Sequence, residues 1–244
     1  MGTSARKQRE IRDREQRILE VGRRMLIEQG FAGLSMDRLA EATEYSKGTL
    51  YQHFSTKEDL VTALAIQSCT RRLELMTRAS QFDGPPRDRM AAMLVADELF
   101  ARLHPHFFRS ELVIRMADLG ERAQAEHARQ LAHLEGRCLG LVVNLIEQAI
   151  GRGELQLRPP NRPEGVAFTV ASLAIGAQLV CNNFPEIAEK LTIEEPYAAL
   201  GAHMASYLDG LGWRPLSTES ADPRGRILSE VFADECRTIP PAGA

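Results

Sequence analysis

At 244 residues, with 44% hydrophobic and 26% charged side chains, the chain is long enough for a small module joined to a larger domain and too apolar to stay disordered. Its net charge of −3 hides a division: eight basic against four acidic residues give residues 1–24 a net +4 and leave −7 for the remainder, so phosphate contact is expected at one end only. Cys69, Cys138, Cys181 and Cys236 are too scattered for a zinc site or a disulfide framework, and they read as free thiols of a cytoplasmic protein with no signal peptide.

Helical spacing dominates and predicts an all-α fold. The first helix is expected from about Glu10 to Gln29, with Ile18, Val21, Gly22, Met25 and Leu26 on one face and Gly30 as its stop. Three short elements follow, opened by Ser35, Ser46 and Ser55 as N-caps, the last paired with Glu58 as a capping box. The helix from Lys57 runs to about Ser80, where Asp83-Gly84-Pro85-Pro86 ends it. Further helices are expected at 87–103, 105–118, 121–150, 163–183 and 195–211, with one short amphipathic helix around Ile227 to Phe232. The uncharged stretch 165–181 includes Thr169, Ser172 and Gln178, which fits a buried helix better than a membrane span.

The informative stretch is 30–60. Met36, Leu39 and Ala40 in one short helix, and Leu50 and Phe54 in the next, face inward, while Ala40 and Ala42 are small enough for a close helix crossing. The opposite face of the second helix then presents Lys47, Thr49, Tyr51, Gln52 and His53: a cation for phosphate, and side chains able to donate or accept at base edges. Gly48 lets backbone approach a phosphate near the helix N-terminus, and Lys57 can clamp the same strand.

The run Ser46-Lys-Gly-Thr-Leu-Tyr-Gln-His-Phe54, followed by Ser55-Thr-Lys-Glu-Asp-Leu60, resembles the TetR/AcrR family of bacterial regulators over residues 18–66. The resemblance implies an N-terminal helix-turn-helix domain of three helices (1–66), a larger helical ligand-binding and dimerisation domain (67–213), and a C-terminal extension (214–244). By position it places Ser46, Lys47, Gly48, Thr49, Tyr51, Gln52, His53 and Lys57 at the DNA, with Ser35 and Met36 where the preceding helix meets the backbone. It also implies a homodimer through 163–183 and 195–211, two recognition helices about 34 Å apart on a near-palindromic operator, and repression relieved by a small-molecule effector. Phe100, His104, Phe107, Phe108, Met116, His127, Leu131 and Cys138 fall on the helices that surround the family's cavity. Where the family usually has Ala-Gly-Val in its turn, this chain has Thr43-Glu44-Tyr45, so Glu44 is expected in a left-handed conformation that costs about 1 kcal/mol.

Two other readings stay open. A metal-dependent enzyme would use His104, His106, His127 and His133 with Glu98 and Glu111, but no pair has the zinc-helix spacing with a catalytic Glu, so no metal or cofactor is assigned. A protein-interaction scaffold would use the same head against another protein.

Overall fold

The structure, a computed structural model, describes residues 3–108, 111 and 125–239. Among these the regular elements are helices: α1 (Thr3–Gly33), α2 (Met36–Thr43), α3 (Lys47–His53), α4 (Lys57–Ser80), α5 (Pro86–Leu103), α6 (Ala125–Gly151), α7 (Pro163–Asn183), α8 (Pro185–Lys190), α9 (Pro196–Gly210), α10 (Arg224–Glu230) and α11 (Ala233–Thr238). Most of the helix expected at 105–118 lies outside the described residues, although 105–108 are helical. The C-terminal extension carries two short helices where one is expected from sequence, and α8 is an addition that six residues of weak periodicity do not announce. Two compact units divide the chain differently from a cut at residue 66: unit 1 takes residues up to Thr70 together with 106–134, and unit 2 takes 71–105 together with 135 onward.

In unit 1 the N-caps act as their chemistry dictates. Ser35 Oγ accepts from the Arg38 N–H at 3.2 Å and Ser46 Oγ from the Thr49 N–H at 3.1 Å, each satisfying a donor that the first turn leaves free. Gly30, at φ 68°, breaks the helical path of α1. Ile18, Leu26, Leu39, Leu50, Phe54, Leu60 and Leu64 close one apolar core, each worth about 1.5–3 kcal/mol of burial. Gly22 permits that closure: a Cβ there would stand 3.2 Å from Leu60 Cδ2.

Two expectations in this unit are corrected. The box that opens α4 is formed by Thr56 and Asp59, one residue beyond Ser55 and Glu58: Thr56 Oγ1 accepts from the Asp59 N–H at 3.0 Å, and Asp59 Oδ2 accepts from the Ser55 N–H at 3.0 Å. Asp59 is fully buried and its other oxygen meets His127 Nδ1 at 2.5 Å, a partner that Glu58 could not reach from the outer face. Ala42 is exposed, so the crossing rests on Ala40 alone, and Thr43 occupies the buried position with its hydroxyl donating to Leu39 O at 2.7 Å.

Unit 2 is organised on α5, whose Met90, Met93, Ala96 and Phe100 are buried. Helices α7, α9, α10 and α11 all pack against it. The extension is held there firmly. Ile227 and Phe232 are fully buried, and Arg78 of α4 clasps Glu235 and the Val231 carbonyl while its guanidinium lies 5.1 Å from the Phe232 ring centre. Helix α7 is long and apolar enough by composition to cross a membrane, but it is not the buried helix its sequence suggests: Phe168 is 73% exposed, with Leu173 and Ile175 also exposed.

Candidate nucleic-acid interface

Helix α3 is only seven residues long, so its orientation depends on anchors outside its own hydrogen bonds. Leu50 and Phe54 supply them, both essentially without exposure. With these two fixed, the outer face is determined: Ser46, Lys47, Gly48, Tyr51 and Gln52 are exposed, with Tyr51 at 50%, and Thr49 is half-buried beside the Ser46 hydroxyl at 2.8 Å. The free N–H groups of the first turn open beside Gly48, whose missing Cβ leaves only Ser46 Oγ nearby, at 3.8 Å.

The charges on this face are already engaged. Lys47 Nζ lies 2.8 Å from Asp37 Oδ1, both more than half exposed, and this hydrogen bond with its charge holds the ammonium above its ordinary pKa. Lys57 Nζ donates to Phe31 O at 3.1 Å and sits 3.9 Å from the centre of the Phe31 ring. Surface pairs of this kind contribute little to stability, so a phosphate can replace Asp37 without a large penalty.

Two predicted DNA residues are placed elsewhere. Met36 is buried in the core of unit 1, because the N1 position of α2 turns inward beneath its Ser35 cap. The His53 side chain is only 8% exposed, with Nδ1 3.9 Å from Glu15 Oε2, since the last residue of α3 lies against α1 rather than on the free face. Glu15, which faces His53 from α1, carries no local signal in the sequence, being a long-range partner.

The turn takes the conformation the sequence requires. Glu44 has φ 59° and ψ 25°, and its N–H closes α2 on Ala40 and Glu41 carbonyls. Tyr45 packs partly against the core, with the Arg14 guanidinium 5.9 Å from its ring centre. On α1, Arg6, Lys7, Arg9, Arg12, Arg17 and Arg24 are exposed. Arg23 is not part of that basic surface: it donates to Gln67 at 2.5 Å, its guanidinium lies 3.5 Å from the Phe107 ring centre, and burial pushes its pKa down to about 10.

The ligand candidates are divided between the two units, and of them Phe100 and His104 stand together, their ring centres 5.8 Å apart. Phe107, Phe108, His127 and Leu131 belong to unit 1, Phe100, His104 and Cys138 to unit 2, and Met116 lies outside the described residues. Phe100 and Phe108 are buried core. A cavity of about 460 Å³ in unit 2 is lined by none of them; its walls are α5, α9 and residues 217–227. Sequence reasoning passed over it because one wall is the extension, which has no strong pattern. Among the described residues no three His, Cys, Asp or Glu side chains gather as a metal site.

The family model for bacterial regulatory proteins of the tetR family matches residues 18–64, the segment that builds α1 to α4 of this head. The HTH-type transcriptional repressor AcnR of Corynebacterium glutamicum is 42% identical over 62 residues, which are 25% of this chain and 33% of that repressor, so the chain matches about a third of its relative's length. A tetR-family regulatory protein from Rhodococcus RHA1 is similar over 82% of this chain and 97% of its own, with a TM-score of 0.64 at 20% identity. The structure of AibR in complex with isovaleryl coenzyme A and operator DNA is similar over 78% of this chain and 95% of its own, with a TM-score of 0.56 at 19% identity.

Proposed function

From the premise that this chain belongs, through residues 18–64, to the tetR family of bacterial regulatory proteins, we propose that it is a homodimeric, effector-responsive transcriptional repressor of the cytoplasm, with no catalytic role. The observation that carries this reading is the outer face of α3. Ser46, Lys47, Gly48, Thr49, Tyr51 and Gln52 stand on a helix pinned from behind by Leu50 and Phe54, a rigid arrangement for entering a major groove. Ser46, Lys47 and the first-turn N–H groups hold the phosphates, Tyr51 and Gln52 reach base edges, and the exposed arginines of α1 extend the contact along the backbone. Ser35 caps the helix beside this surface, and Lys57 serves it by fixing Phe31.

The apolar surface of α7 supports a dimer. Phe168, Leu173 and Ile175 are too many exposed large side chains for one free helix, and α9 packs beside α7 to complete a two-helix surface that a second copy covers by symmetry. AibR takes isovaleryl coenzyme A and operator DNA; for this chain a small-molecule effector is proposed in unit 2. Helix α4 holds residues of both units, so an effector that prefers one position of α4 shifts the population that fits two successive grooves.

The test is binding of the full chain to DNA from the regions flanking its own gene. Tyr51→Ala and Gln52→Ala are each expected to weaken specific binding by about tenfold or more, the scale of a 1–3 kcal/mol contact, with affinity falling steeply as salt rises. Unchanged affinity in both variants would remove α3 from the interface, and failure to bind any such DNA would favour a protein partner for the head.

A further inference from the structure

The cavity in unit 2 has the size of a small-molecule site and an unequal distribution of charge. Its apolar walls are Ala91, Leu94 and Val95 of α5, Leu200 and Met204 of α9, and Ile227 of α10. A volume of about 460 Å³ suits an organic molecule rather than an ion.

The cations around it are all committed. Arg87 donates to the carbonyls of Trp213 and Ala205 and pairs with Asp209 at 2.6 Å. Arg224 pairs with Glu98 at 2.8 Å, Arg102 with Glu98 and Glu195, and Arg226 with Glu230 at 3.0 Å. Four guanidinium groups thus meet four carboxylates, and two further carboxylates, Asp88 and Asp222, are in excess. Asp222 Oδ1 accepts from the Arg224 N–H at 3.0 Å. Asp88 is different: its N–H donates to Pro85 O, but among the described residues its carboxylate accepts no hydrogen bond, and it lines the cavity. Burial pushes its pKa up in spite of the nearby arginines, as happens when a carboxylate loses water and gains no donor.

We propose that this cavity binds an amphipathic organic amine, its ammonium held by Asp88 and its hydrocarbon body by Ala91, Leu94 and Leu200, with Val95, Met204 and Ile227 packed behind them. Neutral and anionic molecules of the same shape leave Asp88 unsatisfied, and an anion meets no free cation. The far wall is the extension, so an occupant braces residues 217–227 and, through them, the segment that Arg78 clasps onto α4. The role of the amine as effector rests on the repressor reading; its binding does not.

The probe set is phenylbutylamine, phenylbutanol and phenylbutyrate, three ligands of one shape and three charges, titrated into the full chain without DNA by calorimetry and by the fluorescence of Trp213, the single tryptophan. The amine is expected to bind about tenfold more tightly than the alcohol, with the carboxylate weakest, a preference that Asp88→Asn abolishes while leaving the alcohol unchanged. Ala91→Phe, which fills the cavity from α5, is expected to remove binding of all three. Equal affinity for amine and carboxylate, an amine preference that survives Asp88→Asn, or amine binding that survives Ala91→Phe overturns the site. Amine binding that passes these checks but leaves DNA affinity unchanged supports the site and overturns its role as effector.

Discussion

Phe54, which caps the end of α3, and Phe168, within α7, are the same residue type in the two units, yet one has 1% of its surface exposed and the other 73%. Phe54 completes a core that α1, α2, α3 and α4 close within unit 1, with Leu131 of α6 packed against it, whereas Phe168 belongs to a helix whose apolar residues point both into unit 2 and out of it. The head therefore satisfies its own hydrophobic surface. Helix α7 does not, and its uncovered apolar residues are the surface on which the proposed dimer rests.

The largest expected effect tests the self-sufficient side. Phe54→Ala removes a fully buried aromatic anchor and is expected to cost about 3–5 kcal/mol, read as loss of cooperative thermal unfolding of the head and of DNA binding together. A cost near that of a surface substitution would show that α3 is held by something other than its core. Next in size is Phe168→Asp, which places a charge on the exposed face of α7. It is expected to shift the protein from dimer to monomer in sedimentation by about 2 kcal/mol or more, with helical content unchanged. A dimer that persists would assign the α7 face to another partner.

Smaller again is Glu44→Gly. The residue is in the left-handed region at φ 59°, so glycine is expected to relieve about 1 kcal/mol of strain, partly offset by its own entropy, and to strengthen operator binding by removing a negative charge near the phosphates. Weaker DNA binding by this variant would mean that Glu44 positions the turn rather than straining it.

The most modest change comes with pH and separates the extension from the head. Asp209 is held below the usual carboxylate range first by the Ser217 hydroxyl and then by Arg87, and Glu235 first by the hydrogen bond from Arg78. Because both folded values are depressed, their contribution is present above the unfolded value of about 4 and is lost as pH falls through the folded values. The near-ultraviolet signal of Trp213, whose carbonyl Arg87 holds, is expected to fade in acid before helical content falls. Simultaneous loss of the two signals would make the extension an inseparable part of the fold.

What could be read in advance differs between residues for physical reasons. Ser35 and Ser46 were legible as caps because a cap is a contact within three residues, and Leu50 and Phe54 because one helical turn fixes their common face. The shift of the α4 box from Ser55 and Glu58 to Thr56 and Asp59 was not legible. Both registers satisfy the local pattern, and His127, distant in sequence, selects the one that buries Asp59. His53 shows the same limit, since its helical position allowed an outward reading, whereas its side chain lies largely covered beside Glu15 of α1.

The sequence by itself determined the long helices, the caps at Ser35 and Ser46, the left-handed turn at Glu44 and the helix-turn-helix motif of the head, all consequences of interactions over one or two turns. Only the tertiary structure decided which cations remain free, where Met36 and His53 point, that the apolar face of α7 is uncovered, and that the extension walls a cavity presenting Asp88. Those properties depend on partners more than one helix away, and burial and charge pairing are set by what packs against a residue rather than by the residue itself.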